Sequence, residues 1–242
     1  MSWQHAQRSD TGRVRPQNED SLLVRPDLGV YAVADGMGGH AAGEVASAIA
    51  VQTIEREAET AVERGAGPYD VAADAVRTAN TAILDEARRD AAKQGMGTTA
   101  SVLITPDDAR FRIAHVGDSR VYLLRDEALS QLTVDHTGVH EQVRRGALTE
   151  EDARRHPFAS VLTRVLGTDV VVDVDLIDGD ARPGDLFLIC SDGLTAVLDD
   201  AALHVVLGRP DSLQARADAL VRAAIEGGGP DNITVVLVAR VD

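Results

Sequence analysis

Residues 30–36 read VYAVADG, a continuous apolar run that ends abruptly in an Asp-Gly pair. Residues 186–193 read LFLICSDG and repeat the pattern, with one serine between the apolar run and the pair. Short apolar runs bounded by turn residues are typical of strands that are buried within a core. Each stretch therefore predicts a core strand whose end carries a carboxylate.

Further acidic residues stand at the ends of other predicted strands. Asp118 follows one such strand after a glycine, and Asp231 stands just before the last one. Glu19 and Asp20 directly precede the first predicted strand. Carboxylates that converge repel one another unless cations lie among them. Because no cysteine pair or paired histidine accompanies them, these oxygen ligands favour Mg²⁺ or Mn²⁺ over zinc.

A single Asp-Gly pair is also a common turn signal and by itself predicts no site. Several together, each next to an apolar strand, indicate a two-metal centre to which Gly36 can offer its carbonyl. Such a centre is typical of phosphoryl-ester hydrolysis, with a metal-bridging hydroxide as the nucleophile. Arg15, four residues before Glu19, is a candidate for holding the phosphate oxygens, and a plain surface arginine is the equal alternative.

The order of the predicted elements favours an α+β fold. The predicted elements are strands at 21–25, 30–34, 98–105, 110–116, 120–124, 170–177, 186–190 and 233–239, and helices at 41–64, 69–93 and 212–226. Because strands and helices do not alternate, we expect mostly antiparallel sheets covered by helices rather than a doubly wound sheet. The charged segment from Asp135 to Gly167 is expected to lie over the sheets as a flap. With no internal repeat or linker, residues 1–242 are expected to form one domain.

The chain has 242 residues and a net charge of −15, from 39 acidic and 24 basic side chains. This excess argues against nucleic acid and anionic membranes as partners. The excess acidic side chains either form a solvated surface or belong in part to a metal site. The single Cys190 excludes an internal disulfide, and no apolar run approaches the ~20 residues of a membrane span. The start of the sequence lacks the features of a signal peptide, so we expect a cytoplasmic protein. We also expect a monomer.

Six short motifs occur in a fixed order along the chain. They are Arg15-x-x-x-Glu19-Asp20, Val33-Ala-Asp35-Gly36-Met-Gly-Gly39, Gly97-Thr98-Thr99, Gly117-Asp118-Ser119-Arg120, Ser191-Asp192-Gly193 and Pro230-Asp231-Asn232. From about residue 7 to residue 241, the chain resembles the metal-dependent serine/threonine protein phosphatases of the PPM (type 2C) family in their bacterial form. The resemblance implies a four-layer α-β-β-α sandwich with a metal cleft at one end. It also implies hydrolysis of phosphoserine and phosphothreonine monoesters in proteins, reversing the action of serine/threonine kinases.

The resemblance further implies the residues of a binuclear Mn²⁺ or Mg²⁺ centre. Asp35 would bridge the two ions. The other ligands, direct or through water, would be Gly36 by its carbonyl, Asp192, Asp231, and Asp20 or Glu19. Asp118 matches a residue that, with Asp192, holds a third and weaker ion in bacterial members. Arg15 matches the phosphate-binding arginine of the family.

The chain departs from the family pattern at two places. Eukaryotic members carry a histidine, proposed as the general acid, where this chain has Met37. The nearest histidine is His40, which is either the replacement general acid or a surface residue at a helix start. Bacterial relatives often have Arg-Asn where this chain has Ala159-Ser160, so their flap contacts do not carry over.

Three other functions compete with a phosphatase of kinases and their targets. A non-catalytic phosphoprotein-binding module would have lost metal aspartates, whereas this chain keeps every matched position. A phosphatase dedicated to an anti-sigma antagonist is usually fused to sensor domains, whereas residues 1–242 are expected to form a single catalytic domain. A metal-dependent nuclease would suit the carboxylates but not the net charge of −15.

Overall fold

Two antiparallel sheets form the centre of the computed structural model, which describes residues 2–38, 42–106, 109–154 and 156–241. In spatial order, the first sheet contains β1 (Trp3–Asp10), β11 (Ile233–Arg240), β10 (Leu186–Cys190), β7 (Arg120–Arg125) and β8 (Ala128–Gln131). The second contains β2 (Asp20–Arg25), β3 (Val30–Met37), β5 (Ala100–Ile104), β6 (Arg110–Val116) and β9 (Asp175–Asp180), with β4 (Gly97–Thr98) paired to the end of β3. The prediction of antiparallel sheets is confirmed.

The two sheets face each other across a core built from alternate residues of each strand. From β3, Tyr31 and Val33 point into this core, and from β10, Phe187 and Ile189 do so. The intervening residues of these strands pack against helices on the outer faces. Because both faces of such a strand are buried, its sequence is a continuous apolar run rather than an alternating one.

Helices cover the outer face of each sheet, which completes the predicted four layers. On the second sheet lie α1 (Gly43–Glu63) and α2 (Pro68–Arg89), which also pack against each other, and a short 3₁₀ turn (Ala91–Lys93) follows. On the first sheet lie α5 (Asp192–Thr195), α6 (Asp200–Leu207) and α7 (Leu213–Glu226). Alanines that line the first pair of helices, such as Ala46 and Ala75, are buried there and allow a close approach.

The strand predicted at 170–177 is wrong in its position. Residues 170–174 lie outside any strand, and β9 covers Asp175–Asp180. Val170 and Val171 are largely exposed, so their apolar character does not reflect burial. Strand β1 was not predicted, because its sequence WQHAQRSD is mostly polar and it lies at a sheet edge beside β11.

The segment 135–167 joins the two sheets between β8 and β9. It contains α3 (Gly138–Arg144) and α4 (Glu150–Arg154) and no named strand. Its end is held against the second sheet by paired backbone hydrogen bonds between Leu166 and Thr98. Within the described ranges, none of the helices combines the length and the apolar character needed to cross a bilayer.

Candidate active site

A cleft of about 580 Å³ opens at the end of the sandwich where the acidic strand ends meet. Of the residues predicted for the site, those that line the cleft are Arg15, Glu19, Asp35, Gly36, Asp118, Asp192 and Asp231. The opposite wall is formed by residues 160–165, 168 and 169, at the end of the segment 135–167 and just beyond it. Met37 also lines the cleft, whereas His40 lies outside the described residues.

Each aspartate is positioned by a different strand end or strand connection. Asp35 lies in β3 directly opposite Asp20 in β2. Asp192 begins α5 immediately after β10, and Asp231 precedes β11. Asp118 lies in the turn between β6 and β7. Because these strands are packed in the core, the carboxylates are brought together by rigid elements.

The glycine after each of two aspartates is required by a close approach of backbone from elsewhere in the chain. A Cβ on Gly36 would lie 2.3 Å from the carbonyl oxygen of Gly43 and 2.4 Å from that of Glu19. A Cβ on Gly193 would lie 2.0 Å from the carbonyl oxygen of Asn232. Neither glycine has a positive φ angle. These Asp-Gly pairs therefore reflect packing at the site and not the conformation of a turn.

The carboxylates raise one another's pKa values. Burial raises the pKa of Asp35 well above its ordinary value, and the charges of Asp20, Asp192 and Asp118 add to this. Burial and the charges of Asp192 and Asp231 raise the pKa of Asp20 to about 7, against the hydrogen bonds that it accepts. Burial followed by the charge of Asp192 raises the pKa of Asp118 to about 8. Such a group of anions is stabilised by a nearby cation.

The donor atoms at this end of the sandwich fit a hard divalent cation. Oδ1 of Asp20 is buried without a hydrogen-bond partner, while its Oδ2 accepts a hydrogen bond of 2.8 Å from Ser191 Oγ. Within the described ranges, no group of three or more His, Cys, Asp or Glu side chains is already arranged to hold a metal ion. Mg²⁺ does not need such a cage, since it is usually held by one or two carboxylates and completes its octahedron with water.

Arg15 lies on the loop before β2 and reaches into the cleft. Its Nη2 donates a hydrogen bond of 2.6 Å to Oδ2 of Asp231, and its side chain is 50% exposed. This contact raises the pKa of the Arg15 guanidinium further, although partial burial acts against it. Arg15 lines the open cleft, so its N–H groups that do not bond to Asp231 are available to an anion there.

A family profile described as protein phosphatase 2C matches residues 14–224 of this chain. The chain belongs to the protein phosphatase 2C family. The match includes every aspartate that lines the cleft except Asp231, which follows the matched range.

Individual relatives agree with this family. A serine/threonine protein phosphatase PstP of Mycobacterium tuberculosis is 41% identical over 238 residues, covering 98% of this chain and 45% of the relative. A serine/threonine phosphatase stp of Listeria innocua is 39% identical over 242 residues, covering 98% of this chain and 96% of the relative. The chain therefore spans less than half the length of PstP and nearly all of the Listeria protein.

A solved structure of the PstP catalytic domain in complex with two manganese ions has the same fold. It is 38% identical to this phosphatase 2C chain, with a TM-score of 0.88 and 99% of each chain covered. The four-layer α+β architecture expected from the sequence is thus confirmed by a structural relative.

Sequence reasoning missed the residues that hold this phosphatase 2C site in shape. The Asn232 side chain donates hydrogen bonds to the carbonyls of Thr11 and Gln17 and accepts one from the Glu19 backbone N–H, at 2.8–3.0 Å. Thr99 Oγ1 accepts a hydrogen bond of 2.9 Å from the Asp35 backbone N–H. Both residues belong to the quoted motifs, and for Asn232 its place directly after Asp231 was the available signal.

Proposed function

We propose that this chain hydrolyses phosphoserine and phosphothreonine monoesters in proteins and requires Mn²⁺ or Mg²⁺. The observation that carries the proposal is the convergence of buried aspartates from separate strand ends with an exposed arginine in one open cleft. Membership of the phosphatase 2C family supports it. The manganese complex of the similar PstP domain supports two ions.

In this proposal Asp35, Asp192 and Asp231 hold the two ions. Gly36 contributes its carbonyl, and Asp20 or Glu19 acts through water. Asp118 and Asp192 would hold a third ion, and burial followed by the charge of Asp192 already raises the pKa of Asp118. When bound, the ions neutralise charge on the phosphate and activate the attacking water.

The chain's own part is to bind and orient the phosphate. Arg15 can present two parallel N–H groups to two phosphate oxygens, and the bidentate geometry sets the orientation of the ester. Its present partner, Asp231, is also a proposed metal ligand, so ion binding would free the guanidinium for substrate. His40 stays the candidate general acid from the sequence, and Met37 at the cleft cannot transfer a proton.

We further propose that the substrates are phosphorylated serine/threonine kinases and their targets. A wide cleft between the strand ends and residues 160–165 suits a phosphorylated segment of another protein. We propose that residues 1–242 work as one catalytic domain and as a monomer. We also propose that it works in the cytoplasm.

Hydrolysis of a phosphothreonine peptide against a Mn²⁺ titration tests the proposal. We expect activity to require the ion, to vanish in excess chelator and to be lost in Asp192→Asn. The matched control is Asp74→Asn. It removes an exposed carboxylate on α2 that does not line the cleft. Full turnover in excess chelator would contradict the two-metal site. Absence of hydrolysis at every Mn²⁺ concentration would contradict the activity.

A further inference from the structure

A second cavity, of about 360 Å³, adjoins the cleft on the side of α3. Thr163 and Arg164 line both spaces, so the two cavities are direct neighbours. The acidic and basic side chains that line the second cavity are Asp135, His136, His140, Glu141, Arg144, Arg145 and Arg164. We call it the Arg144 cavity.

The acidic groups in this lining are already matched by arginines. Asp135 accepts hydrogen bonds of 2.9 Å from Nε and 2.7 Å from Nη2 of Arg120, which lies outside the cavity lining. Glu141 lies 3.5 Å from Nη2 of Arg145, one helical turn away. The two carboxylates therefore leave little negative charge to repel a bound anion.

The arginines of this lining are less completely neutralised by ion pairs than the carboxylates are. Nη1 of Arg164 donates to Asp175 at 2.8 Å, which occupies one side of that guanidinium. Arg145 is 75% exposed and is paired with Glu141, so these two side chains offset each other's charge. Arg144 forms no ion pair within the described part of the chain, and its side chain is exposed at the end of α3.

An unmatched arginine in a concave site is notable in a chain with a net charge of −15. The cleft beside it is lined by aspartates, which repel every anionic group of a substrate other than the phosphate that the ions and Arg15 hold. A second anion on the same substrate is stabilised only where positive charge is available, and the Arg144 cavity provides it. Guanidinium groups suit this role because they hold carboxylate or phosphate oxygens in pairs.

We propose that the Arg144 cavity binds a second anionic side chain of the substrate, a phosphate or a carboxylate, while the scissile phosphate lies in the cleft. This inference rests on the proposed phosphatase function and names its substrate class. The class is a protein segment that carries another acidic or phosphorylated residue near the phosphoserine or phosphothreonine.

The test compares three peptides with the Mn²⁺-loaded protein. One carries phosphothreonine flanked by neutral residues, one adds glutamate, and one adds a non-hydrolysable phosphonate side chain, each at several spacings. We expect kcat/KM for the better anionic peptide to exceed that for the neutral peptide by about two- to fivefold, the range for an exposed charge pair. The ratio should fall towards one as salt increases.

The variant Arg144→Ala should bring this ratio to about one. Because the ratio is taken within each variant, a general loss of activity cancels. The matched control is Arg222→Ala, which removes another exposed helical arginine, on α7 over the other sheet, that has no ion pair in the described ranges. It should keep the wild-type ratio. Glutamate and phosphonate peptides show which of the two anions is preferred.

Equal kcat/KM for neutral and anionic peptides at every spacing would overturn the inference, as would a ratio that survives Arg144→Ala. Hydrolysis of the neutral peptide and of p-nitrophenyl phosphate reports separately on the proposed function. If neither is hydrolysed, binding of fluorescent forms of the same peptides to the same proteins still decides the inference. Equal affinities for the neutral and anionic peptides would then reject it.

Discussion

Nη2 of Arg15 lies 2.6 Å from Oδ2 of Asp231, 216 residues away in the chain. Both side chains are partly exposed in the cleft, at 50% and 31%. The same guanidinium is proposed to hold the substrate phosphate, and the same carboxylate is proposed to hold an ion. The contact thus keeps the proposed phosphate-binding group at the proposed metal centre before either ligand arrives.

Arg15→Ala is expected to lower kcat/KM for a phosphothreonine peptide by about 10- to 100-fold, the worth of one or two hydrogen bonds to a charged group. The loss should appear mainly as a higher KM, measured by steady-state kinetics at saturating Mn²⁺. Arg13→Ala, on the same loop but outside the cleft lining, is the control. An unchanged kcat/KM in Arg15→Ala would leave Arg15 as a plain surface arginine.

The metal-free protein is expected to lose stability as the pH rises from 6.5 to 8.5. The pKa values of Asp20 and Asp118 are raised to about 7 and about 8, so the folded state binds protons that the unfolded state releases near pH 4. Their contribution is complete below pH 4 and is lost as the pH passes 7 and 8. We expect the free energy of urea unfolding to fall by about 3 kcal/mol over this range.

Two comparisons isolate this effect. Asp118→Asn should flatten the pH dependence, and saturating Mn²⁺ should reverse it, since the ions stabilise the ionised carboxylates. The buried His115, whose pKa burial lowers to about 4, destabilises the fold only below pH 6.5 and does not contribute. A metal-free stability that rises between pH 6.5 and pH 8.5 would contradict the raised pKa values.

Gly193→Ala is expected to destabilise the fold by about 3 kcal/mol or more, as overpacking against immobile backbone does. The added Cβ would lie 2.0 Å from the Asn232 carbonyl oxygen, so β11 and α5 would have to separate. Thermal unfolding measures the loss, and Mn²⁺ affinity should fall with it because Asp192 and Asp231 flank this contact.

The control for this substitution is Gly138→Ala. Gly138 begins α3, and a Cβ there would meet nothing within 4 Å. Alanine is favoured over glycine in a helix by about 0.5–1 kcal/mol, so this variant should be neutral or slightly more stable. Equal effects at the two positions would contradict the close-approach explanation of the Asp-Gly pair.

Asn80→Leu is expected to loosen the wall of the cleft beyond Leu166. The buried Asn80 on α2 accepts a hydrogen bond of 2.7 Å from the Gly167 backbone N–H and donates one of 2.9 Å to the Asp169 carbonyl. Both backbone groups would lose their hydrogen-bond partner, which costs about 1–3 kcal/mol of folding free energy for each group left buried. Hydrogen exchange at the Gly167 amide should speed up, and KM for a peptide should rise.

The matched variant is Asn80→Asp, which keeps the acceptor for Gly167 and removes the donor to Asp169. Its effect on exchange at the Gly167 amide should be smaller than that of Asn80→Leu. Unchanged exchange in Asn80→Leu would show that the backbone pairing of Leu166 with Thr98 holds this wall without Asn80.

The strands most successfully predicted are those buried on both faces. The runs before Asp35 and Asp192 are continuous and apolar, and their inner and outer residues pack against the opposite sheet and against helices. The prediction at 170–177 failed because Val170 and Val171 are apolar yet exposed. Local hydrophobicity carries no information on which strand supplies a hydrogen-bonding partner, and pairing with β6 begins only at Asp175.

The sequence alone determined the α+β class, the family and the set of aspartates, because apolar runs and ordered motifs are properties of the chain as written. The sequence supported two roles for Arg15 equally, a phosphate-binding residue and a plain surface arginine. The contact of Arg15 with Asp231 appears only after residues far apart in the chain meet. The same is true of the pKa values of the aspartates, the clash that requires Gly193, and the unmatched Arg144 beside the cleft. Charge interactions and steric contacts depend on distances in space, and only the folded arrangement of the two sheets sets those distances.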